Sequence, residues 1–422
     1  MGSGFDVAVT GMGLVVPLGL SVDAAWSRSL RGESGIGPLR RFDASGFPCT
    51  ASAEIAPFDL AGSLRFPKNE KFMGQSVRCA MRAVKEAIAT SGIELASVDP
   101  YRIALYMGSG QTGLESAEMF GALEFAWTGE EDRDFANMGG RASRLLDRYF
   151  SLRTLSNAGL GLLSAEIGAQ GPSDNFVQGD TASALAVASG LHDLRERRAD
   201  VAIVGGYESL LTESTFLAYE KVGLLSAGDP SCAYRPFDRE RDGIVLGEGA
   251  AFLVLERGED ARRRGAPVVG EIAGAGSAME AVDVVDAKAS EAAARAAIAE
   301  AAGGSPVDLV VAHGIGTAEG DRREARLLAS LLDPGVPVTA FKSQTGYLGA
   351  ASAVAELCLA LQAVRQRCVP PIARHVAADA DCRLNLVAGR ALPLKAERPA
   401  ALCLSWSWLG QCAALAVRPA AA

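Results

Sequence analysis

A chain of 422 residues with 49% hydrophobic and 22% charged side chains has enough apolar mass for a large core and falls outside the disordered class. Its formal charge of −9 argues against nucleic acid as the main partner, so an acidic partner has to meet a local basic patch. Eight cysteines without a CxxC pair and only three histidines argue against a zinc site or a disulfide framework; reduced thiols, a cytoplasmic setting, no metal and no cofactor are expected. The first residues, MGSGFDVAV, lack the basic region and apolar core of a signal peptide, and no uncharged run of about 18 apolar residues occurs, so no membrane span is expected.

In chain order, FDVAVTGMGLVVPLGLSVDAAWSRSLRG reads as a strand, a glycine-rich turn and a helix opening at Ser21-Val22-Asp23. The turn is a poor dinucleotide signal, because no GxGxxG opens the helix. A hairpin-like excursion follows in GESGIGPLRRFDASGFPCTASAEI. In FPKNEKFMGQSVRCAMRAVKEAIATSGI, apolar Phe72, Met73, Val77, Ala80, Met81, Val84, Ala87 and Ile88 recur at helical spacing with Gly92 past the end, which predicts an amphipathic helix. RIALYMGSG reads as a buried strand, QTGLESAEMFGALEFA as a helix or loop over the core, and LSNAGLGLLSAEIGAQGP as a small-residue helix.

The chain then reaches Gly171 to Ser209, GPSDNFVQGDTASALAVASGLHDLRERRADVAIVGGYES. Asp174 to Gln178 reads as a short strand, Gly179 as a sharp turn, and the run behind Asp180 and Thr181 as a helix apolar on nearly every face, hence buried. Both Asp180 and Thr181 are good N-caps, since their oxygens can accept from first-turn amides. VAIVGG is then a strand covered on both faces. Strand, turn and buried helix make an elbow whose tip sits at a helix N-terminus, a place where enzymes hold nucleophiles. Beyond it, GIVLGEGAAFLVLE reads as a hairpin of buried strands and ARRRG as a solvated basic helix end. From near Pro267 the chain alternates again: VVGEIAGAGSAMEAVD is strand and loop, SEAAARAAIAEAAG a helix, DLVVAHGIGTAEGDRREARLLASLL strand, glycine turn and helix. The alternation predicts α/β layers with mostly parallel central strands.

The elbow resembles the active-site elbow of the β-ketoacyl synthases, the condensing enzymes of fatty-acid and polyketide assembly, where GPxxxxxTACxSG carries the acyl-bearing cysteine. Counted from Gly171-Pro172, the cysteine position is Asp180, and Gln178-Gly179-Asp180 replaces the TAC triplet. Arg235 to Ala250 resembles the family string RPFDxxRDGxVxGEGA. VVAHGIGTAEGD matches the first catalytic histidine motif at His313, and KSQTGYLGAAS retains the motif lysine at Lys342 but has Tyr347 at the second histidine; Glu356 falls at the supporting glutamate. LSWSWLGQC stands where the family has a glycine-rich gating loop, with Trp406 and Trp408 at its aromatic positions.

This resemblance implies an α/β thiolase-type five-layer αβαβα fold of two similar halves, residues 4–258 with interface or cap insertions over about 28–170, and residues 259–422. It implies a degenerate site with no catalytic residue, since a carboxylate is a far weaker nucleophile than a thiolate and its acyl product is a hydrolysable mixed anhydride. Trp406 and Trp408 are expected to fill the space left for substrate in an active enzyme. Gln111, Thr112, Leu114, Glu115, Glu118 and Met119 fall on the family's tunnel and dimer-interface segment, or else simply face the core. Together the departures resemble the chain length factors (ketosynthase β subunits) of type II polyketide synthases, which pair with an active ketosynthase α subunit and serve acyl carrier protein mainly through it. Those subunits usually have glutamine at the nucleophile position, so Asp180 departs from the aromatic-polyketide pattern and leaves the branch making reduced polyenes open. Two other readings stay open: a malonyl-carrier-protein decarboxylase using the remnant site, and a homodimeric scaffold.

Overall fold

The run Val7–Val15 is buried at every residue and forms β1, the strand from which the rest of the sheet spreads. The computed structural model describes residues 6–110, 121–122, 124, 140, 142–281, 291–407 and 409–420. Helix α1 (Val22–Leu30) opens where Ser21 accepts from the amide of Ala24. The short pair β2 (Gly37–Pro38) and β3 (Ala51–Ser52) forms the expected excursion. Helix α2 (Gln75–Ser91) ends at Gly92 in the left-handed region. Phe72 and Met73 lie before it, in a 3-10 turn and its exit, because Gly74 starts a new helix in extended backbone.

Next come β4 (Ile103–Ser109), α3 (Ala158–Ile167), β5 (Ser173–Phe176), α4 (Ala182–Arg195), β6 (Val201–Ser209), α5 (Glu213–Lys221) and β7 (Glu248–Arg257). The expected hairpin at GIVLGEGAAFLVLE is one long strand, β7; Ile244 and Leu246 upstream make only isolated bridges, to Leu225 and Tyr347. The second half contributes β8 (Gly270–Met279), α6 (Ala292–Ala302), β9 (Leu309–Val311), α7 (Ala318–Leu331), β10 (Pro337–Thr339), α8 (Ser352–Gln366), β11 (Cys368–Val369), β12 (Asn385–Leu386), β13 (Leu392–Pro393), β14 (Ala401–Trp406) and β15 (Gln411–Arg418).

Among the described residues eleven strands run in the order β12-β10-β9-β14-β15-β8-β1-β7-β6-β4-β5. The halves of this sheet join where Val7–Val9 of β1 pairs with β8, and apart from the extra edge strand β12 the strand order of one half repeats that of the other. The outer pairs are parallel, but the centre is not: β7/β6, β1/β7, β1/β8, β15/β8 and β14/β15 are antiparallel. Parallel neighbours such as β4/β6 and β9/β14 are linked through helical crossovers, whereas a tight turn joins β14 to β15 and forces antiparallel pairing. Helix α2 packs on β1 and β7, and α6 on β8 and β15. Helices α4 and α8 lie between, touching each other and strands of both halves, so the layers are α, β, α, β, α. That position explains why α8 is buried on every face from Ser352 to Val364.

Close approach at the sheet sets how near the two buried helices come. A Cβ at Gly206 of β6 would lie 2.7 Å from both the Ser183 Cβ of α4 and the Ala350 carbonyl oxygen. Gly206→Ala is therefore expected to destabilise the fold by about 1–3 kcal/mol through overpacking, read as a lower denaturation midpoint in urea.

Candidate functional site

The elbow forms as its sequence demands. Gly179, at φ +56°, turns the chain out of β5, a conformation that strains residues with a Cβ. Asp180 follows in a 3-10 turn, Gly179–Thr181, and α4 begins at Ala182. Asp180 is not an N-cap, and neither it nor Thr181 caps α4 with its side chain. Instead the Asp180 Oδ2 accepts from the Tyr347 hydroxyl at 2.7 Å. Its carbonyl accepts from the Ser405 hydroxyl at 2.6 Å. Its other carboxylate oxygen, Oδ1, is buried without a partner. A side chain this buried, with 3% of its surface exposed, bonds to what packs over it rather than to solvent-facing amides. Burial pushes its carboxyl up to about 6, against the pull of the Lys342 charge and the Tyr347 hydrogen bond.

Tyr347 is itself buried, and burial with the neighbouring Asp180 charge holds its phenol well above the usual range, so it stays a donor. Its ring meets Tyr219 of α5 edge-on at 5.9 Å. His313 follows β9. Its amide donates to Glu324 Oε1 at 2.7 Å, and the Gly314 amide to Glu324 Oε2 at 2.8 Å, so one carboxyl group of α7 clamps the turn. Burial, then the Lys342 charge, depresses the His313 imidazole far below its usual range, which keeps it neutral. Its ring stands edge-on to Trp406 at 6.0 Å.

Lys342 lies beneath the site and is fully buried. Its ammonium donates to the His313 carbonyl at 2.8 Å and to Glu356 Oε1 at 2.7 Å, tying the β9 turn to α8. Burial pushes Glu356 up to about 7 against that lysine's pull. Burial likewise pushes Glu208, at the end of β6, and Glu324 up to about 8.

A cavity of about 270 Å³ opens beside the elbow. Asp180, His313, Tyr347, Tyr219 and Trp406 all line it, with Leu224, Ile244, Ile315 and Leu327 among its apolar walls. Trp406 therefore walls the space rather than filling it. The expected gating loop is a tight turn between β14 and β15, where the Ser407 amide donates to the Gln411 carbonyl at 2.8 Å and the Gly410 amide to the Ser407 carbonyl at 3.0 Å. Trp408 lies outside the described residues, as do Gln111, Thr112, Leu114, Glu115, Glu118 and Met119. Sequence reasoning missed Tyr219, Glu208, Glu324 and Ser405; Ser405 sits inside LSWSWLGQC and Glu208 inside the elbow stretch, but no spacing marked any of the four, and each meets the site only through the tertiary fold. Cys412, a thiol on the cavity wall, is pushed up to about 11 by burial, so it is no thiolate at neutral pH. Among the described residues no group of His, Cys, Asp and Glu is placed to hold a metal ion, and no helix is long and apolar enough to cross a membrane.

The fold is that of the condensing enzymes. The sequence pattern of the β-ketoacyl synthase N-terminal domain matches residues 5–261, and that of the C-terminal domain residues 269–375. The chain belongs to the β-ketoacyl synthase family, with its thiolase-like fold. The putative polyketide beta-ketoacyl synthase 1 of Streptomyces cyaneus is 33% identical over 402 residues, covering 93% of each chain. The tetracenomycin polyketide synthase ketoacyl synthase beta subunit of Streptomyces glaucescens is 33% identical over 373 residues, covering 86% of this chain and 87% of that one. The ishigamide ketosynthase/chain length factor structure aligns over 99% of this chain and 100% of its own with a TM-score of 0.86; at 24% identity this is a likeness of fold.

The raised Asp180 carboxyl makes a pH-dependent prediction. In the folded state it protonates near 6, in the unfolded state near 3.8, so its penalty is absent below about 3.8, grows as pH rises, and is complete above about 6. Asp180→Asn, which can still accept from Tyr347, is expected to raise stability by about 1–3 kcal/mol at pH 7 to 8. The gain should vanish below the carboxyl range, as read by thermal melts across pH. Lys342→Met is expected to cost about 3–5 kcal/mol, because Glu356 keeps its burial and loses its counter-charge; the double variant with Glu356→Gln should recover part of that loss in urea titrations.

Proposed function

We propose that this chain is a non-catalytic, ketosynthase-like subunit of the chain-length-factor kind, pairing with an active ketosynthase α subunit in a type II polyketide synthase. The observation that carries this reading is the Asp180–Tyr347 hydrogen bond at the place where the family keeps a cysteine and a histidine. A carboxylate whose oxygen is engaged by a phenol stores no acyl chain, and the neutral His313 has lost its second imidazole partner. Relatedness to a tetracenomycin beta subunit supports the same reading. On it, the acyl carrier protein is served mainly through the partner subunit, in the cytoplasm. The segment with Gln111, Thr112, Leu114, Glu115, Glu118 and Met119 then helps bound the acyl tunnel and set chain length.

The open cavity beside His313 favours a second reading, malonyl-carrier-protein decarboxylation at the remnant site. The ionised Asp180 on its floor opposes it by repelling a malonyl carboxylate. Co-expression with a ketosynthase α subunit tests the first reading. The expected outcome is a co-purifying heterodimer that makes polyketide with carrier protein and malonyl extender, with neither subunit productive alone. A soluble homodimer that leaves the ketosynthase behind would point to a scaffold instead. Decarboxylation by the isolated chain, abolished by His313→Ala, would establish the second reading.

A further inference from the structure

Elsewhere in the core, buried carboxyl groups come with a counter-charge. Glu166 has Lys85, Glu248 has Arg41, Glu256 has Arg264 and Glu271 has Arg418. Asp238 has no cation, but its oxygens accept the amides of Glu240, Val376 and Ala377; against burial, which alone would raise it, those amides hold its carboxyl low. The core behind the elbow differs. Among the described residues, the buried Asp180, Glu208 and Glu324 form no ion pair.

Glu208 is wedged in place. A Cβ at Gly110, just past β4, would collide with its carboxyl group. A Cβ at Gly349, which stands at φ +49° ahead of α8, would lie 3.2 Å from its Cγ and Oε2. A carboxyl group closed in by backbone on two sides has no room to swing out to water when it ionises. Asp180 faces it from the elbow, and Tyr207 and Tyr219 are the other titratable groups beside it; none is a cation. Glu324 gives both oxygens to the turn after β9, with Asp321, Tyr234 and Lys342 around it. Lys342 is bonded to Glu356 and also faces Asp180 and Asp321, while Arg241 lies against Asp321 and Asp379. The carboxyl groups of this region thus outnumber its cations. A buried carboxyl without a counter-charge keeps its proton rather than its charge, and burial pushes Glu208 and Glu324 up to about 8.

We infer that the core behind the elbow is a proton-linked switch: it holds its packing while Glu208 and Glu324 are carboxylic acids, and it loosens when they become carboxylates. The native chain then carries protons that the unfolded chain gives up. Both groups titrate near 4.5 when unfolded, so their penalty is absent below about 4.5, grows as pH rises and is complete above about 8. His313 and His375, kept neutral by burial, act in the opposite sense, but only up to about their ordinary value of 6.5. Buried thiols add to the loss only from about 9 upward, where unfolded thiols ionise. The interval from pH 7 to 8 therefore belongs to the carboxyl groups. The switch goes beyond the partnership proposed above, because it rests on this chain's own core.

The test is urea denaturation of the full chain at pH 7, 7.5 and 8 and fixed ionic strength. The unfolding constant is expected to rise about tenfold or more across that interval, since each proton held only by the native state contributes up to about tenfold per pH unit. Glu208→Gln and Glu324→Gln should each reduce the rise severalfold, and Glu208→Gln should be more stable than the parent chain at pH 8. Glu319→Gln, at an α7 carboxylate paired with Arg322 and Arg326, should leave the rise unchanged. Calorimetric unfolding at pH 7.5 in two buffers of unequal ionisation enthalpy needs no variant and should count about one proton or more released per chain. Stability that is flat or rising from pH 7 to 8, no proton release, or an unchanged rise in both glutamine variants would each overturn the inference. Co-purification and product formation are read in separate assays, so failure here is distinguishable from failure of the functional reading.

Discussion

One buried ammonium organises the centre of this molecule. Lys342 has no access to water, yet it joins the turn after β9 to the central helix α8 through the His313 carbonyl and Glu356. Its charge also restrains the rise in the Asp180 carboxyl and helps keep His313 neutral. A buried charge is tolerated only when it is paired and hydrogen-bonded, and this ion pair meets both conditions.

The frame explains how a buried acid and a buried phenol stay orderly side by side. An acid and a phenol, Asp180 and Tyr347, face each other and make one short-range bond. Each is a poor neighbour for an apolar core alone; as a donor and acceptor pair they are compatible with burial. Asp180 is nonetheless only half satisfied, since its Oδ1 is buried without a partner.

Much of this architecture was readable from the chain. The doubly covered strands announced themselves as unbroken apolar runs, and the elbow by a glycine before a helix apolar on all faces. Strand direction in the centre of the sheet was not, because a strand buried on both faces has no periodicity that tells which way its neighbours run. Phe72 and Met73 continued a helical pattern across Gly74, where the backbone starts afresh. At the site, the positions of Asp180, His313, Lys342, Tyr347 and Glu356 were legible through motifs. Their interactions were not: Asp180 offers a good local cap, but a tyrosine 167 residues away takes its carboxylate. Tyr219 and Glu324 reach the same space from helices whose sequences carry no mark of it.

The two ends of the sheet have a consequence for how the protein behaves in bulk. One end is β5, with the polar sequence Ser173-Asp174-Asn175-Phe176, and the other is the two-residue strand Asn385–Leu386. Short polar ends with a charge among them are weak templates for adding strand after strand. Neither end of the sheet therefore invites open-ended growth by strand addition.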